Sequence, residues 1–131
     1  MKKLTPVLFV KNIEETLPFW LERLKFTKTI EVPGEAGLGF CILQRGGVEV
    51  MLQTQESLRE DLPQLADEEL SCTGVMLFVE VDELDEFITA TECCEIVSPE
   101  RTTFYGMREI AVRAPGGCVV IFAQKVGEQA G

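Results

Sequence analysis

No histidine occurs in this 131-residue chain, and that absence narrows its chemistry more than any residue it contains. Histidine is the commonest general base near neutral pH and the usual nitrogen ligand of transition metals. A Ser-His-Asp or Cys-His nucleophilic site is therefore excluded. Five cysteines remain as candidate ligands or nucleophiles: Cys41, Cys72, Cys93, Cys94 and Cys118. None stands in a C-x-x-C spacing, so neither a zinc ribbon nor a thioredoxin-like redox site is suggested. Cys93 and Cys94 are adjacent; as strand residues they would point to opposite faces, which is poor geometry for chelating one metal. Four of the five lie within or beside apolar, β-branched runs. The set reads as buried thiols acting as small hydrophobes in a reducing compartment.

Carboxylates are the other chemistry-bearing groups, with 22 Asp and Glu against 12 Lys and Arg, a formal charge of −10 and a sequence pI of about 4.5. Such a field repels nucleic acid and gives cationic or neutral ligands a weak preference, most of the charge being solvated surface. The apolar run Leu4 to Val10 is halted by Lys11 and Asn12 without a small-residue cleavage site. No stretch approaches the ~20 apolar residues of a membrane helix. The expectation is a cytoplasmic protein of one domain, residues 1–131, with no membrane partner; a hydrophobic content of 46% is enough for a core.

The elements that must position these groups follow from periodicity. Leu4 to Val10 suits a strand, and Asn12 with Glu15 three residues on opens a helix. Ile13, Leu17, Trp20, Leu21 and Leu24 recur at helical spacing, with Trp20 read as core and Pro18 predicting a kink or irregular turn. Phe26 to Val32, Leu38 to Gln44 and Val48 to Gln53 read as strands, separated by turns at Pro33-Gly34 and Gly46-Gly47, the last two strands forming a hairpin. Residues 54–71 are acidic, with Leu58, Leu62 and Leu65 as the only regular apolar points, and read as a connector with room for one helical turn.

After the connector the pattern returns. Gly74 to Val81 is a strand, Asp82 opens a helix carrying Leu84, Phe87 and Ile88, and strands follow near Glu95 to Ser98, Met107 to Val112 and Cys118 to Gln124. Val10-Lys11-Asn12-Ile13 matches Val81-Asp82-Glu83-Leu84 at a shift of 71 residues, and Gly46-Gly47-Val48 matches Gly116-Gly117-Cys118 at a shift of 70. A nearly constant shift argues for duplication. The fold class is thus α+β: two βαβββ modules, about 1–53 and 72–126, forming a curved mixed-sheet cup. Pro6 deletes a ladder donor in the first strand and marks it as an edge or an exchange point.

This duplicated unit resembles the vicinal oxygen chelate superfamily of glyoxalases, dioxygenases and bleomycin resistance proteins, over nearly the whole chain. The pieces that carry the likeness are Phe9-Val10-Lys11-Asn12-Ile13, Phe19-Trp20, Val81-Asp82-Glu83-Leu84, and Tyr105-Gly106-Met107-Arg108-Glu109 leading to Ala114-Pro115-Gly116-Gly117. Thr5-Pro6-Val7-Leu8 and Ile42-Leu43-Gln44-Arg45-Gly46 bring it nearest to the bleomycin resistance proteins. The resemblance implies a homodimer in which the first strand can be swapped. It places the four metal-ligand positions of the family's enzymes at Thr5, Met51, Met76 and Ile121, none a credible ligand for a hard or borderline divalent metal. No metal, no other cofactor and no catalytic residue is therefore assigned.

Strand alternation then sets Glu49 and Gln53 beside Met51, Phe78 and Glu80 beside Met76, and Val7 and Phe9 beside Thr5 on the concave side. Tyr105 corresponds to the aromatic residue that stacks on flat ligand rings in bleomycin-binding relatives. The candidate ligand-binding residues are Phe9, Glu49, Met51, Phe78 and Tyr105. They describe a metal-free protein that sequesters a cationic or aromatic small molecule, an antibiotic being one such ligand, in a homodimer pocket. Two other readings stand beside it. One is a metal-independent enzyme using Glu49 as general base, which needs a carboxyl raised by a dry pocket; the other is a regulatory or interaction module with a filled cup.

Overall fold

The computed structural model describes residues 1–71 and 74–126. It divides the chain into two compact units, 1–72 and 73–131. The expectation that Cys72 is buried lies outside the described residues.

In the first unit Asn12 opens the helix as its spacing predicts, its side-chain oxygen accepting the Glu15 amide at 2.9 Å. Helix α1, Ile13–Leu17, then widens at Pro18 into a π-helical turn, Pro18–Arg23. Proline cannot donate to the preceding turn, and the ladder re-forms with the Leu24 amide on the Phe19 carbonyl at 2.9 Å. Ile13, Phe19, Trp20 and Leu24 are buried, and the Trp20 ring meets Phe19 and Phe26 edge-on at 5.4 and 5.2 Å. Trp20 is a core residue, as expected.

Strands β1 (Val7–Phe9), β2 (Thr27–Gly34), β3 (Gly37–Arg45) and β4 (Val48–Gln53) form one sheet in the order β1-β4-β3-β2. β1 runs parallel to β4 and the others are antiparallel. Two expectations are corrected. The first strand is three residues rather than seven, because only residues 6–10 lie along β4, where the Met51 amide reaches the Pro6 carbonyl and the Val10 amide the Gln53 carbonyl, both at 3.0 Å. Pro33 and Gly34 belong to β2, and the turn falls at 35–36 instead. β2 is an edge strand, where a missing N–H is tolerated, and its register shifts between Val32 and Pro33. The Glu14 carboxylate ties this hairpin to α1 by accepting the Leu38 amide at 2.7 Å. At neighbouring Gly37, with φ of +124°, a Cβ would stand 2.8 Å from Glu14 Oε2.

Alternation gives this sheet two faces. Leu8, Cys41, Leu43, Val50 and Leu52 are buried, and α1 lies against β3. Across the opposite face one row runs Val7, Met51, Ile42, Ile30 in strand register, with Val7 and Ile30 exposed.

The connector is more ordered than its polarity suggests. Thr54 caps a helix α2, Gln55–Asp61, by accepting the Ser57 amide at 3.2 Å, and a 3-10 turn follows at Pro63–Leu65. Leu58 is fully buried, and α2 lies against β3 at Gly39, where a Cβ would come within 3.1 Å of Ser57 Cβ.

The second unit repeats the plan: β5 (Met76–Glu80), helix α3 (Leu84–Ala90), β6 (Glu95–Thr102), β7 (Met107–Arg113) and β8 (Val119–Lys125), ordered β5-β8-β7-β6. Again the first strand is parallel to the last. The Val7↔Met51 pair of the first sheet has its counterpart in Phe78↔Ile121, at the shift read from the sequence. Asp82 does not open α3. Glu83 is the N-cap residue and makes no side-chain cap; the Leu84 amide donates instead to Gln124 Oε1 of β8 at 2.9 Å, so a strand side chain does the capping. Leu84 and Phe87 are buried, and Phe87 stacks on Phe122 at 4.9 Å.

Cys41 and Cys118 are buried as expected, and burial pushes the Cys41 thiol up, away from reactive thiolate. Cys93 is a correction: it is exposed in the turn after α3, because neither it nor Cys94 is in a strand. Among the described residues no helix is long and apolar enough to cross a membrane.

Candidate ligand-binding residues on two sheet faces

On the first sheet, Glu49 stands next to Met51 on β4, on the side turned away from α1. Lys3 Nζ lies 2.8 Å from Glu49 Oε1, and the Thr5 hydroxyl donates to the same oxygen at 3.2 Å. The hydrogen bond from Lys3 holds the Glu49 carboxyl below its usual range, against a smaller opposing effect of burial. This is the reverse of the raised carboxyl that a Glu49 general base requires. Thr5 thus acts as a donor to Glu49, and the residue facing Met51 across the parallel pair is Val7. Gln53, expected alongside Glu49 and Met51, is buried at the end of β4, its amide donating to Ser57 Oγ at 3.2 Å. Phe9, Met51, Phe40 and Ile42 are half-buried, so Glu49 borders an apolar surface with limited access to water.

Phe78 and Tyr105 belong to the second unit. Phe78 is exposed on β5, in a row with Ile121, Ala111 and Ser98. Glu80, at the end of β5, is exposed, with Lys125 Nζ 3.8 Å away; it is the solvated strand-end carboxylate that its position suggests. Tyr105 lies in the loop between β6 and β7, half-exposed, with its ring edge-to-face against Phe104 at 5.0 Å. The loop backbone is fixed by the Thr103 amide on the Met107 carbonyl at 2.7 Å and by Gly106 at φ of +80°.

Sequence reasoning assigned no role to Glu109. It is only 4% exposed, pairs across the strands with Ala123 and Arg101, and accepts both Arg101 Nη2 at 2.9 Å and the Tyr105 hydroxyl at 3.0 Å. The signal was present in the alternation Met107, Glu109, Ala111, which sets a charge between two apolar residues on one face.

A metal has one conceivable seat among the described residues: Glu35 in the β2–β3 turn with Glu56 and Glu60 one turn apart on α2, their oxygens within 4.8 Å of one another. All three are exposed, all-oxygen ligands of the kind that suits hard cations, and none belongs to the four positions carried over from the resemblance.

No protein-family model and no curated protein matches the chain. Solved structures do. A glyoxalase/bleomycin resistance protein/dioxygenase family enzyme from Burkholderia phytofirmans PsJN superposes with a TM-score of 0.78 at 18% identity, covering 93% of this chain and 97% of that one. A glyoxalase/bleomycin resistance protein/dioxygenase from Nocardioides gives 0.72 at 22% identity, over 95% and 84% of the two chains. The bleomycin-binding protein from bleomycin-producing Streptomyces verticillus, solved with copper(II)-bleomycin, gives 0.61 at 22% identity, over 93% and 94%. With its repeated strand-helix-three-strand units and these superpositions, the chain has the glyoxalase/bleomycin resistance protein/dioxygenase fold.

Proposed function

We propose that this protein is a metal-free small-molecule-binding protein of the bleomycin resistance type, sequestering a cationic or aromatic ligand in the cytoplasm as a homodimer. The observation that carries the reading is Glu49: a carboxylate held ionised by Lys3 and Thr5 at the border of a half-buried apolar face. An ionised carboxylate beside apolar surface recognises an amine or guanidinium and serves poorly as a base. Both contacts fall on Oε1, which leaves Oε2 for a ligand donor. Phe9 and Met51 line the same surface, and on the second sheet Phe78 and Tyr105 offer exposed aromatic rings for stacking. The fold shared with a bleomycin-binding protein supports an antibiotic as one ligand, and resistance as one use.

Calorimetric titration of copper(II)-bleomycin and of proflavine, a flat cationic dye, into wild type, Tyr105→Ala and Glu49→Gln tests the reading. Each substitution is expected to weaken binding about ten- to a hundredfold. Binding of anions only, or affinities unchanged by both substitutions, would overturn it.

A further inference from the structure

A buried carboxylate is costly unless its charge is paired and its lone pairs are used. Glu109 meets both conditions in a particular way. Arg101, opposite it in the strand register, takes Oε1, and the hydroxyl of Tyr105, four residues back along the chain, takes Oε2. Arg101 and Tyr105 are themselves largely exposed, so the buried member of the trio holds the two that solvent reaches.

Tyr105 needs such a hold. It sits on a loop whose backbone is pinned at Thr103 and Gly106, yet nothing in that pinning fixes χ1 or χ2 of the side chain. Its ring neighbour Phe104 is fully exposed and so is not itself held by core packing. The bond to Glu109 is the contact that ties the ring to a strand. The geometry assigns to Glu109 the part of a positioning residue that fixes the ring plane of Tyr105 as a stacking platform for a flat ligand. This rests on the reading of Tyr105 as a ligand contact. Because Glu109 is only 4% exposed and its partners Arg101 and Tyr105 are the groups that solvent reaches, it acts through Tyr105 rather than on the ligand. A fixed ring loses less rotamer entropy when a ligand stacks on it, and affinity rises accordingly.

The chain holds one tyrosine, so tyrosine ring signals belong to Tyr105 alone. Ring-¹³C-tyrosine NMR of the ligand-free protein is compared for wild type, Glu109→Gln and Glu109→Met. The Met variant is apolar and of similar length, suited to the surroundings of Met107, Ala111 and Ala123. The expected result is an ordered ring in wild type, a largely ordered ring in Glu109→Gln, whose amide oxygen still accepts the hydroxyl, and free ring averaging in Glu109→Met. An equally ordered ring in a folded Glu109→Met overturns the inference, whatever the protein binds. Proflavine titration adds a second readout. Tyr105→Phe, which keeps the ring and loses the tether, is expected to weaken binding several-fold, and Glu109→Met in that background is expected to add nothing further. Additive losses would mean that Glu109 acts on structure generally and would also overturn the inference. If wild type binds neither proflavine nor copper(II)-bleomycin, the proposed function fails, and the ring order still decides the role of Glu109.

Discussion

Lys3 Nζ sits 2.8 Å from Glu49 Oε1, so the residue proposed to recognise a ligand cation already holds a cation of its own chain. Lys3 is largely exposed and lies in the irregular segment ahead of β1, which makes it displaceable. Lys3→Met is expected to raise the Glu49 carboxyl back toward its ordinary value and to strengthen binding of a cationic ligand by removing the internal competitor. Because the folded value is depressed, the contribution of the pair to stability is present above the unfolded carboxyl range. It is lost as pH falls through the folded value. The variant should therefore lose less stability than wild type between neutral and acid pH. Carboxyl ¹³C titration and urea unfolding at two pH values read these outcomes, and an unchanged Glu49 titration would contradict them.

Helix α2 turns an apparently polar connector into part of the first unit's core through one side chain. Leu58 is fully buried while Leu62 is exposed. Leu58→Ala should cost about 2–5 kcal/mol of unfolding free energy, and Leu62→Ala should stay within about 0.5 kcal/mol. Equal effects in denaturant unfolding would show that α2 does not pack as described.

Much of this architecture is legible in the residues. Asn12-x-x-Glu15, the glycine pairs at 46–47 and 116–117 and the 70–71-residue shift are local signals, and local hydrogen bonding realises them. What escaped is non-local. The start of α3 is capped by Gln124, forty residues away, so Asp82 was the natural but mistaken start. Pro33 enters β2 only because β2 is an edge, a property of the strand order. The partner of Glu49 is Lys3, which no periodicity links to it, and the partners of Glu109 are Arg101 on the neighbouring strand and Tyr105 in a loop.

Metal content follows from side-chain chemistry. Thr5 is a donor to Glu49, Met51 and Ile121 are half-buried sheet residues, Met76 is exposed, and the chain has no histidine. The chemistry of these side chains disfavours zinc, nickel, iron or manganese at those positions. Purification without chelators followed by elemental analysis should find less than one such ion per chain. A stoichiometric transition metal would be incompatible with this assignment; weak exchangeable calcium or magnesium at Glu35, Glu56 and Glu60 would not.

The proposed homodimer is argued from the strand order. Among the described residues the outer strands are β1 and β2 in the first sheet and β5 and β6 in the second. Lys28, Glu31 and Pro33 on β2 and Glu95, Pro99 and Arg101 on β6, with register shifts in both strands, blunt two of these edges in part, yet apolar side chains remain along them. Ile30 and Val32 on β2, Met76 and Phe78 on β5, and Ile96 and Val97 on β6 are all exposed apolar residues. Exposed, apolar edge strands pair with other chains unless something covers them, and a closed two-fold pairing covers them without generating fibres. β1 is the strand best suited to exchange, being three residues long and preceded by Pro6, so leaving its own β4 breaks few ladder bonds. Light scattering at micromolar concentration should therefore give twice the 14.6 kDa chain mass. Val7→Lys, which sets a charge in the row with Met51, Ile42 and Ile30, should shift the protein toward monomer. A wild type that scatters as a monomer at every concentration tested would exclude the homodimer.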